Sequence, residues 1–258
     1  AGSNVWWSAS QYSATSSSNT GRSPEFALLT TVVMAENLLL MSVTSQPEHP
    51  LRSALLAALD GRFPAVDGRV EIVPPDDAGT HAVVEFTGHS FVLTDLDPEH
   101  DLFLGVDAFG GATQPRVLAG LAGPSGMVGS LDLVMVRRAG REQSEPRAEP
   151  LQAIGDTSHP RVVRAHRHRR DVTVLGDENG LVTLGMGLVG RREISIELTD
   201  TAHGTGVGRR LIRSALATLP SDQFVFAQVA PGNAASVRMF LAAGFVPIGS
   251  EVLIEPDR

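Results

Sequence analysis

The stretch "HGTGVGRRLI", His203 to Ile212, sets Gly204, Gly206 and Gly208 in alternation with Thr205 and Val207, directly ahead of helix-forming residues. Before it, "REISIEL" (Arg192 to Leu198) alternates with a period of two, as a strand does. A strand that runs through glycines into a helix leaves the first helical N–H groups unpaired, with the positive end of the helix dipole behind them. That arrangement seats a phosphate, and glycine is needed because a Cβ would obstruct the ligand or forbid the turn. A GxGxxG fingerprint would require glycine where Arg209 or Leu211 stands. A Walker loop would require lysine, and all 21 basic residues are arginine. Both common nucleotide loops are therefore excluded.

Outward from the loop, Leu211, Ile212, Ala215, Leu216 and Leu219 form the apolar stripe of a helix that Pro220 stops. "QFVFAQVA" reads as a strand, "NAASVRMFLAAG" as a helix capped by Asn233 and closed by Gly244, and "FVPIGSEVLI" as a strand. Upstream, "RVVRAHRHRRDVTVLGDENGLVTLGMGLVGRREISIELTD" predicts three antiparallel strands with a turn at Asp177 to Gly180. Further back stand a helix "PLRSALLAAL", a strand "RVEIV", a hairpin "HAVVEF"–"HSFVLTDL" turning at Thr87 and Gly88, a helix "QPRVLAGLAG" and a strand "SLDLVMV". The polar, proline-punctuated "RRAGREQSEPRAEPLQAIGDTSHP" reads as a linker or long loop. The expected organisation is a Ser/Thr/Asn-rich tail over 1–44, with Met34 or Met41 as candidate starts, an α+β region over 45–150, and a C-terminal α/β region over 151–258.

Composition narrows the function classes. A chain of 258 residues with 42 % hydrophobic and 19 % charged residues is globular in character. The absence of cysteine removes thiol nucleophiles, CxxC zinc sites and disulfides. A net charge of −8 argues against nucleic acid as a partner. "FALLTTVVMAENLLLMSV" is interrupted by Glu36 and Asn37, so no membrane partner is expected, and the chain reads as cytoplasmic. "GPSGM" around Ser125 lacks the second glycine of a hydrolase elbow.

The frame His203, Gly204, Thr205, Gly206, Val207, Gly208 resembles the [QR]xxGx[GA] pyrophosphate loop of the GNAT superfamily of acetyl-CoA-dependent N-acetyltransferases. "NAASVRMFLAAGF", Asn233 to Phe245, is similar to that family's second signature, an Asn followed by a helix and closed by Gly-Phe. The resemblance covers roughly the last 70 residues, and the general wording of the chain resembles acetyltransferases of high-GC bacteria. It implies a mixed, mainly antiparallel α/β (α+β) sheet flanked by helices, with the N-terminal region as an extension or a degenerate second half. It further implies acetyl-CoA as cosubstrate, no metal, and a small-molecule or peptide amine as acceptor, acetylated by direct attack in a ternary complex. A homodimer is left open. On this resemblance the coenzyme is held by the loop from His203 through Gly208, by Arg209, by the strand at Ile196 and Leu198, and by Asn233, Ser236 and Phe240.

The period of two places Glu193, Ser195 and Glu197 on one face of "REISIEL" and Ile194, Ile196 and Leu198 on the other. Either glutamate is a candidate base, the competing reading being a polar solvent face. Two neighbouring carboxylates are expected to push one pKa upward, as a base near neutrality requires. His203 replaces the loop's usual Gln or Arg, and a ring N–H makes coenzyme affinity weaker or pH-dependent. Where many members carry a tyrosine acid, this chain has Phe240, and its single tyrosine is Tyr12. Ser236, a water or no acid at all must serve instead. These two departures motivate the second reading, a non-catalytic acyl-CoA-binding or regulatory GNAT-like domain. His159, His166 and His168 raise a metal site that the interleaved arginines disfavour, although those arginines could hold the adenosine 3′-phosphate. An acidic run, Asp95, Asp97, Glu99, Asp101 and Asp107, would suit a cationic acceptor.

Overall fold

The computed structural model describes residues 48–140, 150–155 and 158–257. The tail over 1–44 and the middle of the expected linker lie outside the described residues. Pro50 and its His49 cap, whose ring accepts from Leu51 N, start helix α1 (Pro50–Leu59). Strands β1 (Arg69–Val73), β2 (His81–Phe86) and β3 (His89–Leu93) follow, then helix α2 (Pro115–Ala122) and strands β4 (Met127–Val128) and β5 (Asp132–Arg138). Beyond residue 150 come β6 (Gln152–Ala153), α3 (Pro160–His168), β7 (Arg170–Asp177), β8 (Gly180–Met186) and β9 (Arg192–Leu198). Helix α4 (Val207–Leu216), β10 (Phe224–Val229), α5 (Ala234–Ala242) and β11 (Val246–Glu255) complete the chain.

These strands form one mixed, mainly antiparallel sheet flanked by helices, in the order β1-β3-β2-β11-β5-β10-β9-β8-β7-β6, with β4 beside β11. On one face, α1 packs Leu51, Leu55 and Ala58 onto Val84, Val134, Val136 and Phe226. On the opposite face, α4 and α5 cover Met135, Ile194, Val225 and Ala227, while α2 covers Val83, Val92, Val252 and Ile254. Strand β5, which precedes residue 150, lies between β10 and β11 and pairs antiparallel with both. The sheet is thus continuous across the expected boundary.

The segment expected to open as a strand, Arg161 to His168, is helix α3 instead. Its Val-Val and His-Arg-His alternation mimics a period of two, but only Val162 and Ala165 are buried, at helical spacing. His166 and His168, expected on a common strand face, are two apart on a helix and so point to different sides. His159 is occupied as the cap, its Nδ1 accepting from Arg161 N at 3.1 Å.

A fragment of residues 151–258 would leave β10 and β11 with no strand between them and two apolar rows exposed. We expect that fragment to lack a cooperative thermal transition, while the whole chain shows one by circular dichroism. Cooperative unfolding of the fragment would contradict this.

Candidate active site

Strand β9 carries the site. It pairs with β8 along its full length but with β10 only at Arg192–Val225 and Glu193–Phe226. Past that point the two parallel strands diverge, and a wedge opens beside Ile194 to Leu198. Two cavities meet at it. One, of about 480 Å³, is lined by Leu198, His203, Gly204, Gly206, Gly208, Arg209 and residues of α5. The other, of about 320 Å³, lies under α3 and is lined by Asp132, Arg164, His168, Glu193, Gln228 and Glu251, among others. Arg161, Ile196, Asn233 and Ser236 border both.

The glycines hold the first cavity open for different reasons. Gly204 and Gly206 have φ of +76° and +86°, the left-handed region, and Gly206 is the cap residue of α4. Space is not the constraint there, because a Cβ at either would meet nothing within 4 Å. Gly208 is constrained by packing instead: a Cβ would lie 2.3 Å from Met239 Sδ. Thr205 and Val207 line neither cavity. The Thr205 hydroxyl donates to Ala202 O at 2.7 Å, and Val207 packs on the core. Asn233 uses its side-chain oxygen to cap α5, accepting from Ser236 N at 3.1 Å. Phe240 is buried against Phe245 with ring centroids 5.0 Å apart and borders the second cavity.

Glu193, Ser195 and Glu197 do share a face, and residues at the two ends of α3 reach all three. Arg161 Nη2 donates to Glu197 at 2.7 Å. Arg169 Nε donates to Glu193 Oε2 at 2.8 Å, and its Nη1 to Ser195 Oγ at 3.3 Å. From the other side Arg191 Nε donates to Glu193 Oε1 at 2.8 Å, and its Nη2 to Glu251 Oε1 at 2.7 Å. The result is a buried chain, Arg169–Glu193–Arg191–Glu251, in which Arg191, Glu193 and Glu251 are 4 %, 6 % and 2 % exposed. Gly187 makes room for it, since a Cβ there would lie 2.2 Å from the Glu193 carboxyl carbon.

The electrostatics differ from the expectation. Burial pushes the Glu193 carboxyl up, but Arg191 and Arg169 outweigh it and hold that carboxyl below its ordinary value. The upward shift falls on Glu251 instead, through burial and through repulsion from Glu193, against the pull of Arg191. Burial also raises Asp132. His168 is lowered by burial and by Arg164.

Glu251, Asp132, Arg169 and Arg191 escape a reading by motif. A signal did exist for Glu251: a carboxylate directly ahead of the apolar "VLI" in the middle of β11. The acidic run from Asp95 to Asp107 borders neither cavity. Asp97 and Asp107 cap local turns, accepting from Glu99 N and Phe109 N.

No protein-family model matches the chain, and no curated protein matches it. Among solved structures, a GCN5-related N-acetyltransferase from Kribbella flavida is similar at 12 % identity and a TM-score of 0.40, over 83 % of this chain and 98 % of that one. A GNAT-family acetyltransferase from Colwellia psychrerythraea is similar at 11 % identity and a TM-score of 0.34, over 51 % and 57 %. A functionally unknown conserved protein from Staphylococcus epidermidis is similar at 14 % identity and a TM-score of 0.36, over 56 % and 68 %. Superposition at this level assigns neither substrate nor residue roles.

The network makes a contrast testable. Glu193→Gln leaves Arg191 and Arg169 without their shared counter-charge in a buried site, which costs about 3–5 kcal/mol. Glu197→Gln removes a half-exposed pair and costs less than about 1 kcal/mol. Urea denaturation of the two variants checks this, and equal losses would contradict it. The sign with pH follows from the lowered Glu193: its contribution is complete above the ordinary glutamate pKa and is lost as pH falls through its depressed value.

Proposed function

We propose that the chain is an acetyl-CoA-dependent N-acetyltransferase, moving an acetyl group to a primary amine by direct attack in a ternary complex. The observation that carries this is the wedge between β9 and β10, with a glycine-capped helix start at one end and a small polar cavity at the other. A thioester of coenzyme A has the matching shape. Its pyrophosphate suits the unpaired N–H groups at the start of α4, beside His203 and Arg209. Its amide-bearing pantetheine arm suits the unpaired backbone of β9 near Ile196 and Leu198, adding to the sheet as a further strand does. The acyl end then enters the second cavity past Asn233 and Ser236.

In this reading the amine lone pair attacks the thioester carbonyl carbon, the C–N bond forms, the C–S bond breaks, and coenzyme A leaves as thiolate. The nitrogen's proton goes to the buried Glu193–Glu251 pair. Glu193, kept ionised by two guanidinium groups, raises the basicity of Glu251, which is the better matched acceptor near neutrality. Glu197 positions Arg161 at the mouth between the cavities. Phe240 cannot donate a proton, so the thiolate is protonated by solvent or through Ser236.

Two measurements test this. Gly206→Asp keeps a residue type that tolerates the left-handed conformation but sets a negative charge at the phosphate seat. Acetyl-CoA affinity by calorimetry should fall by about a hundredfold or more, that is roughly 3 kcal/mol. Unchanged affinity in the folded variant would end the proposal. For the base, kcat/KM should fall as pH drops, with a limb above the ordinary glutamate pKa, since Glu251 must be ionised to accept the proton. Glu251→Gln should remove that limb and lower kcat by about a hundredfold or more while acetyl-CoA still binds. Coenzyme binding without turnover on any amine would favour the regulatory acyl-CoA-binding reading.

A further inference from the structure

The charges around the cavity under α3 do not all cancel one another. Arg161 is committed to Glu197, Arg167 to Glu255, Arg169 to Glu193, and Arg191 to Glu193 and Glu251. Burial and Arg164 lower the His168 imidazole, against the pull of Glu255, so His168 is a weaker cation than an ordinary histidine. One cation lining the cavity then remains, Arg164, exposed on α3, with no hydrogen bond or ion pair among the described residues. One anion without an arginine partner also remains, Asp132 at the start of β5, whose contact is the Ser130 hydroxyl at 3.0 Å. Arg164 is near enough to influence the Asp132 carboxyl, yet the two form no ion pair within 4 Å. Both line the cavity, as does Glu251.

We infer that the acceptor is a compact zwitterion of the amino-acid type, its carboxylate held by Arg164 and its amine presented to Asp132 and Glu251. This rests on the acetyl-transfer reading above and names its substrate class. Three features converge on it. A guanidinium without an ion pair recognises a carboxylate through paired, charge-assisted N–H bonds, and Arg164 makes no hydrogen bond or ion pair among the described residues. Asp132 and Glu251, cross-strand neighbours in the same lining, attract an ammonium group and can take its proton. A volume of about 320 Å³ sits at the small end of ligand sites and matches a group of amino-acid size. A plain alkylamine would leave Arg164 unmatched, and a dicationic amine would place a second positive charge beside it.

The test uses free L-amino acids and the C-terminal amides of the same amino acids, which keep the amine and lose the carboxylate. Wild-type protein with acetyl-CoA should acetylate the free acids with kcat/KM about tenfold or more above the amides. Arg164→Met, at an exposed position without a hydrogen bond or ion pair among the described residues, should raise KM for the free acids by about tenfold or more and leave the amides unchanged. Direct titration of the coenzyme-free chain with the free amino acids gives a readout independent of turnover: binding should occur in the wild type and be lost in Arg164→Met. Amides used as well as free acids, an equal loss for both in the variant, or no amino-acid binding to the wild type would overturn the inference. The acetyl-transfer reading fails separately, by absence of acetyl-CoA binding.

Discussion

Arg191 is the constraint from which the rest of the site follows. A guanidinium with 4 % exposure cannot give up its proton and must be neutralised where it lies. It does so with Glu193 on β9 and Glu251 on β11, strands separated in the sheet by β10 and β5. Its planar group also lies over the Phe226 ring of β10, 5.4 Å from the centroid. One side chain therefore spans the centre of the sheet and fixes the height of both carboxylates above it. Such a pair is a poor source of net stability, because the desolvation of each partner offsets most of the attraction. What it supplies is geometry: two carboxylates of unequal basicity on the floor of one small cavity.

Delivering Arg191 places demands on distant parts of the chain. The turn before it holds Val189 at φ +47°, where a β-branched residue is strained by about 1–3 kcal/mol. That conformation is held from outside, by Asp76 accepting from Val189 N at 2.8 Å and by Arg52 of α1 donating to the Val189 and Gly190 carbonyls. Residues from the first third of the chain thus tension a turn that positions a charge in the last third. The same logic applies to β5, whose Asp132 reaches the cavity only because the strand is threaded between β10 and β11.

This explains which parts of the molecule were legible in sequence. Elements whose cause is local could be read: the α4 stripe from Leu211 to Leu216, the Asn233 cap, and the hairpin through Thr87 and Gly88. The glycine loop was legible too, because positive φ and a helix start leave their mark within six residues. Helix α3 was not. Its His-Pro start matches that of α1, but its inward face consists of only Val162 and Ala165, too short a stripe to show a helical period. The site was half legible for the same reason. Glu193 and Glu197 announce themselves by the period of two, whereas their different environments depend on Arg169, Arg191 and Glu251, which are brought together only by sheet order.

The wedge itself carries a physical demand that the core does not meet. Beyond Glu193, alternate residues of β9 point backbone N–H and C=O groups towards the place that β10 has vacated, and sheet interiors leave such groups unpaired at a cost. An apolar filler would leave them unsatisfied, and a side chain from α5 would close the passage between the cavities. Water or a ligand with amide groups satisfies them without closing anything. Ile194, Ile196 and Leu198 anchor this exposed edge by pointing into the core beneath α4, so the strand holds its line although one neighbour is missing. The sheet is in effect one strand short at this point, with the glycine-capped start of α4 at one end of the gap and the small cavity under α3 at the other.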